Sequence, residues 1–336
     1  MDNRTSEARI WHGGDLAEAR GLFPDAPGPW IDLSTGINPI AYPMPFLPAS
    51  LFERLPSPAD HEDLEAAAAE AYGASDPATL VAAPGTQLLI SLLPALWPRS
   101  RVAILGPTYA EHARAWRGAG HDVVEITSVE GIGEADIVVV VNPNNPDGRT
   151  FRREELLAQA EHLRRHKGWL VVDEAFADFD GDETLVPVLP ENAIVLRSFG
   201  KTYGLAGVRL GFAGAAPRIA EKLRRALGPW SVSGPAMEVG RRALRDHAWR
   251  RAAQEARAQD ARRLDALLAP HSDQALSGTI LYRLMGSDRA PNLFAQLGRH
   301  GIWVRRFQFD PRLLRFGLPG SEEAWQRLET ALAGFH

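Results

Sequence analysis

Between residues 101 and 215 the chain repeats one pattern, a short and mostly apolar run followed by a helical or turn-forming stretch. The runs are "RVAILG" (101–106), "HDVVEI" (121–126), "ADIVVVV" (135–141), "GWLVVDEAF" (168–176), "NAIVLRS" (192–198) and "VRLGFAGA" (208–215). Apolar strands that do not alternate with polar residues are buried on both faces. "TYAEHARAWRGAG" (108–120) and "REELLAQAEHLRRHK" (153–167) between them have the composition and periodicity of helices. Strands and helices in alternation predict a mainly parallel sheet covered by helices on both sides, an α/β class.

The rest of the composition sets limits. The chain has 336 residues, 45% hydrophobic and 24% charged, enough for one large core or a large and a small one. A net charge of -5, with 37 Lys and Arg scattered along the chain, argues against a nucleic-acid partner. There is no cysteine, so disulfides and thiolate metal sites are excluded, and no metal is expected. The N-terminal "MDNRTSEARIWHGGD" lacks the apolar core of a signal peptide, and no stretch approaches 18 uncharged apolar residues. The expected location is the cytoplasm, with no membrane partner.

Residues 1–60 are rich in Pro and Gly and read as an extended arm with turns rather than a helix. "HEDLEAAAAEAYG" (61–73) predicts a helix capped by Gly73. After about residue 235 the texture changes to a long charged helical region, then short strands with intervening helices. The expected domains are an arm over 1–45, a large domain over 46–235 and a small α+β domain over 236–336.

In open α/β sheets ligands sit beyond the carboxyl ends of the strands. Three strands end here in "NPNNPDG" (142–148), in Asp173 of "DEAF" and in "SFGK" (198–201). Taken singly, the first is a turn, the second a turn cap and the third a solvated lysine. Taken together, an amide, a carboxylate and an amine converge on one sheet edge. Pyridoxal phosphate uses such a set: a lysine for its aldehyde and a carboxylate for its ring nitrogen. Its phosphate needs hydroxyls, backbone N–H groups and a cation. Ser198, Arg209, and Gly85 with Thr86 at a helix start in "APGTQ" supply them. Tyr109 follows another strand and can stack on a ring.

The ordered motifs "NPNNPDG … DEAF … SFGKTYGLAGVRLGF" resemble the aminotransferase class I/II superfamily of pyridoxal phosphate enzymes. The resemblance implies the fold-type I transferase fold, with a mainly parallel seven-stranded sheet in the large domain. It implies that Lys201 is the Schiff-base lysine and Asp173 the partner of the pyridine nitrogen. Asn145 would contact the ring hydroxyl, and Tyr109 would stack on the ring. Ser198, Arg209, Gly85 and Thr86 would hold the phosphate, and Arg315 in "LLRFGLPG" would grip the substrate carboxylate. Two departures stand out: Asp147 replaces the usual Thr of "NPTG", and Leu55 stands where many relatives carry a Tyr that reaches across a dimer.

The flanks narrow the resemblance. "WHGG", "GINP", Phe176 after "DEA" and "GPWSVS" (228–233) are similar to threonine-phosphate decarboxylases of cobalamin biosynthesis. That family implies decarboxylation of L-threonine O-3-phosphate to (R)-1-amino-2-propanol O-2-phosphate by a homodimer. His12, Gly13 and Gly14 would then bind the substrate phosphate, with Asn38 as a further donor. Arg305 is either a second substrate cation or a solvated strand residue. A histidinol-phosphate-type aminotransferase and a non-catalytic protein of the same fold are the competing expectations. A nicotinamide-binding fold would want G-x-G-x-x-G after a first strand, a spacing that "GKTYGLAG" lacks.

Overall fold

A computed structural model describes residues 10–179 and 183–335, so the first nine residues of the polar N-terminal stretch lie outside the described residues. The chain divides into two compact units. The larger comprises Ile37–Ala261 with Gly278–Leu281; the smaller runs up to Gly36 and continues with Arg262–Ser277 and from Tyr282 to the C-terminus.

The larger unit is built on a seven-stranded sheet. Its order is Leu80–Ala83, Gly211–Ala215, Ala193–Ser198, Trp169–Asp173, Ile137–Val141, Arg101–Leu105, Asp122–Ile126. All neighbours are parallel except Gly211–Ala215, which runs antiparallel to both of its partners. The absence of alternation in the sequence has the anticipated cause. Val138, Val140, Leu170, Val172 and Val195 turn to one face, where Leu64, Ala67, Leu156, Leu163 and Leu244 from three helices cover them. Ile137, Val139, Val171, Ile194 and Leu196 turn to the other, under Leu89, Ile90, Trp116, Ile219 and Leu223. Residues of the central strands thus meet apolar partners on both faces.

The helix expected at 61–73 spans Pro58–Tyr72. Ser57 and Asp60 form a capping box, and Gly73 ends it in the left-handed conformation at φ 77°. The long charged stretch is two helices, Gly234–Arg245 and His247–Leu268, and the second passes from one unit into the other. The texture change near 235 therefore does not coincide with the unit boundary at Ala261. Val239, Ala243 and Leu244 belong to the large core, although their helix carries many charges on its other side.

The smaller unit carries the strands Ile31–Leu33, Ile302–Arg306, Leu313–Gly317 and Tyr282–Gly286 side by side in that order. The first pair is parallel and the others are antiparallel. Part of the arm thus enters a sheet. The expectation that residues 1–60 hold no helix is corrected: Leu16–Leu22 is helical, with Asp15 accepting from the Glu18 backbone N–H at 2.9 Å. Phe23 beyond it packs edge-on against Phe294. Arg327 donates to the carbonyls of Pro27 and Pro29, each at 2.7 Å, which ties down the Pro-rich link.

Candidate active site

Within the larger unit, the sheet register brings three of the sequence-derived segments to one edge. Val141 pairs with Asp173, and Asp173 with Leu196, so the residues that follow all emerge together. The Asn142 N–H donates to the Asp173 carbonyl, and the Glu174 N–H to that of Leu196, stitching the strand ends. In the asparagine turn, two of the three amides are structural. Asn142 exchanges two bonds with the Phe151 backbone, and Asn144 donates to the Pro107 carbonyl and to Asp147. Asn145 is half-buried and follows them in sequence, directly before Pro146. Asp147 accepts from the Arg149 N–H as well as from Asn144, so its carboxylate closes the turn where the family pattern has a threonine.

Asp173 is buried and makes two contacts. One oxygen accepts from the Ala175 N–H at 3.0 Å; the other lies 2.8 Å from His112 Nε2. His112 is itself 1% exposed and was not found by reading the sequence. Its one signal was position: it lies on the helix Glu111–Gly118, three residues after Tyr109. The Tyr109 ring packs edge-on against His112, with centroids 6.1 Å apart, and its hydroxyl lies 2.9 Å from Gln87 Oε1. An aromatic ring, an imidazole and a carboxylate therefore form one continuous row.

Lys201 sits in a single helical turn, Phe199–Thr202, at the end of the strand Ala193–Ser198. Its Nζ lies 5.3 Å from the centroid of Phe176, three residues after Asp173. The glycines of "SFGKTYG" answer to close packing: a Cβ on Gly204, at φ +64°, would stand 2.6 Å from the Asn38 carbonyl oxygen.

Across the antiparallel pair Ser198–Gly211 lies a cradle of backbone. Gly85 has φ +87°, and a Cβ there would stand 2.6 Å from an Arg209 guanidinium nitrogen. A Cβ on Gly211 would stand 2.7 Å from the Thr86 N. Arg209 is held at φ 55°, a left-handed conformation uncommon for a non-glycine residue, and donates to the Ala206 carbonyl at 3.1 Å. Ser198, Thr86, the Gly85 turn and the Arg209 cation are thus placed against one another. They are the donor set an exposed phosphate dianion needs, while Lys201, Asp173 and Tyr109 suit an aldehyde and a basic aromatic ring.

The smaller unit holds a second polar cluster. Arg305 and Arg315 are directly opposite one another on neighbouring strands. Arg315 is buried, with its guanidinium 4.9 Å from the Tyr282 ring centroid, and donates to the Ser34 carbonyl at 2.9 Å. Burial lowers its pKa, against the pull of Tyr282 and Asp32, but an arginine starts so high that it stays a cation. The Gly14 N–H donates to Ser34 Oγ at 2.7 Å, and Asp32 accepts from both Ser34 groups. A Cβ on Gly13 would lie 2.3 Å from the Ser34 oxygen, so the Gly-Gly turn packs directly on this serine. Ser34 and Asp32 escaped the sequence reading because their partners, Gly14 and Arg315, are distant in sequence. Arg306 alternates to the other side, pairs with Glu18 at 2.7 Å and lies over Trp11, which fixes the arm beside the exposed His12.

Asn38 is placed differently from its expected role. It is 2% exposed; its amide nitrogen donates to the Thr202 carbonyl and its oxygen accepts from Arg257. The structure puts that side chain behind the lysine turn rather than on a substrate. Among the described residues, no helix is long and apolar enough to cross a membrane.

Residues 49–332 match the aminotransferase class I and II family, and the chain belongs to it. More particular relatives are threonine-phosphate decarboxylases. The Pseudomonas aeruginosa protein of that name is 43% identical over 328 residues, covering 96% of this chain and 97% of its own length. The Sinorhizobium protein is 40% identical over 332 residues, with 97% and 98% covered. Histidinol-phosphate aminotransferase from Sinorhizobium meliloti, solved in complex with pyridoxal-5'-phosphate, superposes with a TM-score of 0.81 over 99% of this chain and 97% of that one. At 20% identity that likeness is one of fold.

Proposed function

We propose that this protein is a pyridoxal 5'-phosphate-dependent decarboxylase that converts L-threonine O-3-phosphate to (R)-1-amino-2-propanol O-2-phosphate and CO2, a step of cobalamin biosynthesis. The observation that carries the reading is near-full-length identity of 43% to a threonine-phosphate decarboxylase; the buried Asp173–His112 pair, Lys201 beside Phe176 and the close approach of Gly85 to Arg209 support it.

When bound, the cofactor supplies an aldehyde for the substrate amine and a ring that withdraws the electron pair left on Cα as CO2 departs. The protein's own residues do the rest. Lys201 Nζ would hold the cofactor's aldehyde, and its amine, when free, would be the proton donor to Cα. Asp173 keeps the ring nitrogen protonated, and His112 holds the carboxylate in place. Asn145 would be the donor to the ring hydroxyl, and Tyr109 would pack against the ring. Ser198, Thr86, Gly85 and Arg209 bind the cofactor phosphate.

In the smaller unit, Arg315 takes the substrate carboxylate and His12 and Gly13 its phosphate, with Arg305 as a further cation, while Gly14, whose N–H is given to Ser34 Oγ, shapes the turn. A substrate anionic at both ends suits that set, and holding both ends fixes which bond to Cα can break.

The assembly we propose is a cytoplasmic homodimer. Supporting it, Phe46, Phe52 and Leu55 are 87%, 67% and 68% exposed within one short stretch. Sedimentation is expected to give twice the 36.8 kDa chain mass; a monomer at micromolar concentration contradicts the assembly.

The reaction is tested by supplying threonine phosphate without 2-oxoglutarate. Stoichiometric CO2 and the amino-alcohol phosphate are expected. Amino transfer that requires the oxo acid, with no CO2, would instead make the chain an aminotransferase.

A further inference from the structure

We infer that Asn38 is the positioning residue of Lys201, acting through the backbone of the lysine turn and not on substrate. The inference rests on Lys201 being the reactive amine. The turn Phe199–Thr202 is one helical turn long, too short to hold its own shape in isolation. Its trailing carbonyls have no partner further along the helix. The segment 38–42 supplies partners for three of them in succession, those of Lys201, Thr202 and Tyr203. The Asn38 N–H donates to the Lys201 carbonyl at 2.9 Å, Asn38 Nδ2 to the Thr202 carbonyl at 2.9 Å, and the Tyr42 N–H to the Tyr203 carbonyl at 2.8 Å. Three successive peptide groups beginning with that of the lysine are thereby fixed to one strand of backbone.

The orientation of the Asn38 amide is over-determined. Its oxygen accepts from the Ile40 N–H at 3.0 Å and from Arg257 Nη1 at 3.1 Å. Arginine only donates, so the oxygen must face Arg257 and the nitrogen must face Thr202. Arg257 is in turn held by Asp260, with Nε 2.7 Å from Oδ2. Its burial, unusual for an arginine, matches this task. Pro39 next in sequence removes a backbone donor and stiffens the segment. The "GKTYG" turn and the "INP" segment, far apart in sequence, are two halves of one clasp.

Asn38→Asp is the discriminating variant. It keeps an acceptor for Ile40 and Arg257 and replaces the donor to Thr202 with an oxygen that repels it. Asn38→Ala removes both sides and guards against an effect peculiar to the new charge. The readouts are steady-state kinetics with threonine phosphate and the visible circular dichroism of the holoprotein, which reports how the bound chromophore is oriented. In both variants kcat is expected to fall by about 10- to 100-fold, with KM within about twofold, because a small misplacement of the reacting group is costly. The visible dichroic band is expected to change in amplitude relative to absorbance. A raised KM with unchanged kcat and dichroism would overturn the inference and return Asn38 to the substrate. Wild-type behaviour in all three readouts would overturn it too. The function reading fails separately, on the wild-type protein lacking a visible band at all.

Discussion

Lys201→Ala is expected to lower kcat by on the order of 10⁴-fold and to abolish the visible absorbance of the purified protein. Two roles are lost at once: the amine that captures the cofactor and the amine that returns a proton to Cα. Nothing nearby can replace it. The chain has only two other lysines, Lys167 and Lys222, and both are exposed, Lys167 beyond the helix Arg153–Arg165 and Lys222 on the helix Pro217–Leu227. Folding is expected to survive, since Nζ contributes to no core cluster and the turn is held through its backbone. The check is kcat alongside absorbance and thermal melting. A variant with residual activity within tenfold of wild type, or with its visible band intact, contradicts the assignment.

Asp173→Asn has the second-largest expected effect, a loss in kcat on the order of 10²- to 10³-fold with little change in KM. The side chain keeps its volume and an oxygen for the Ala175 N–H, so the fold at the strand end is preserved. What disappears is the negative charge, which acts most strongly when the ring nitrogen must stay protonated as charge builds on Cα. His112 Nε2, now facing an amide rather than a carboxylate at 2.8 Å, can no longer restore it. Kinetics at saturating and limiting substrate separate the two parameters. A change confined to KM would show that Asp173 acts in binding only.

Much of this was legible in the sequence because its causes are local. A strand buried on both faces must be apolar throughout, so "ADIVVVV" and "NAIVLRS" could hardly be anything else. Strand ends are where side chains leave the sheet, so Asp173 and Lys201 could be named from position and residue type. The parts that stayed hidden depend on partners distant in sequence. His112 looks like any polar residue of an amphipathic helix until Asp173, 61 residues on, is brought to it. Ser34 is one polar residue of a Gly- and Pro-rich arm until Gly14 and Arg315 converge on it. Helix Leu16–Leu22 is short and flanked by Gly and Pro, and its stability comes from packing around Phe23 rather than from propensity. Asn38 misled for the same reason. An asparagine in a Gly/Pro-rich arm resembles a ligand donor, and only the fold reveals that its amide is already engaged by Thr202 and Arg257.

The central claim is that one amine, Lys201, carries the cofactor. Reducing the holoprotein with borohydride fixes the cofactor to whichever lysine holds it, and peptide mass spectrometry then locates the adduct. With three lysines in 336 residues, the result is unambiguous. The account predicts a single pyridoxyl-phosphate adduct on the peptide containing Ser198–Arg209. An adduct on Lys167 or Lys222, or no adduct in a protein that releases CO2 from threonine phosphate, would contradict it.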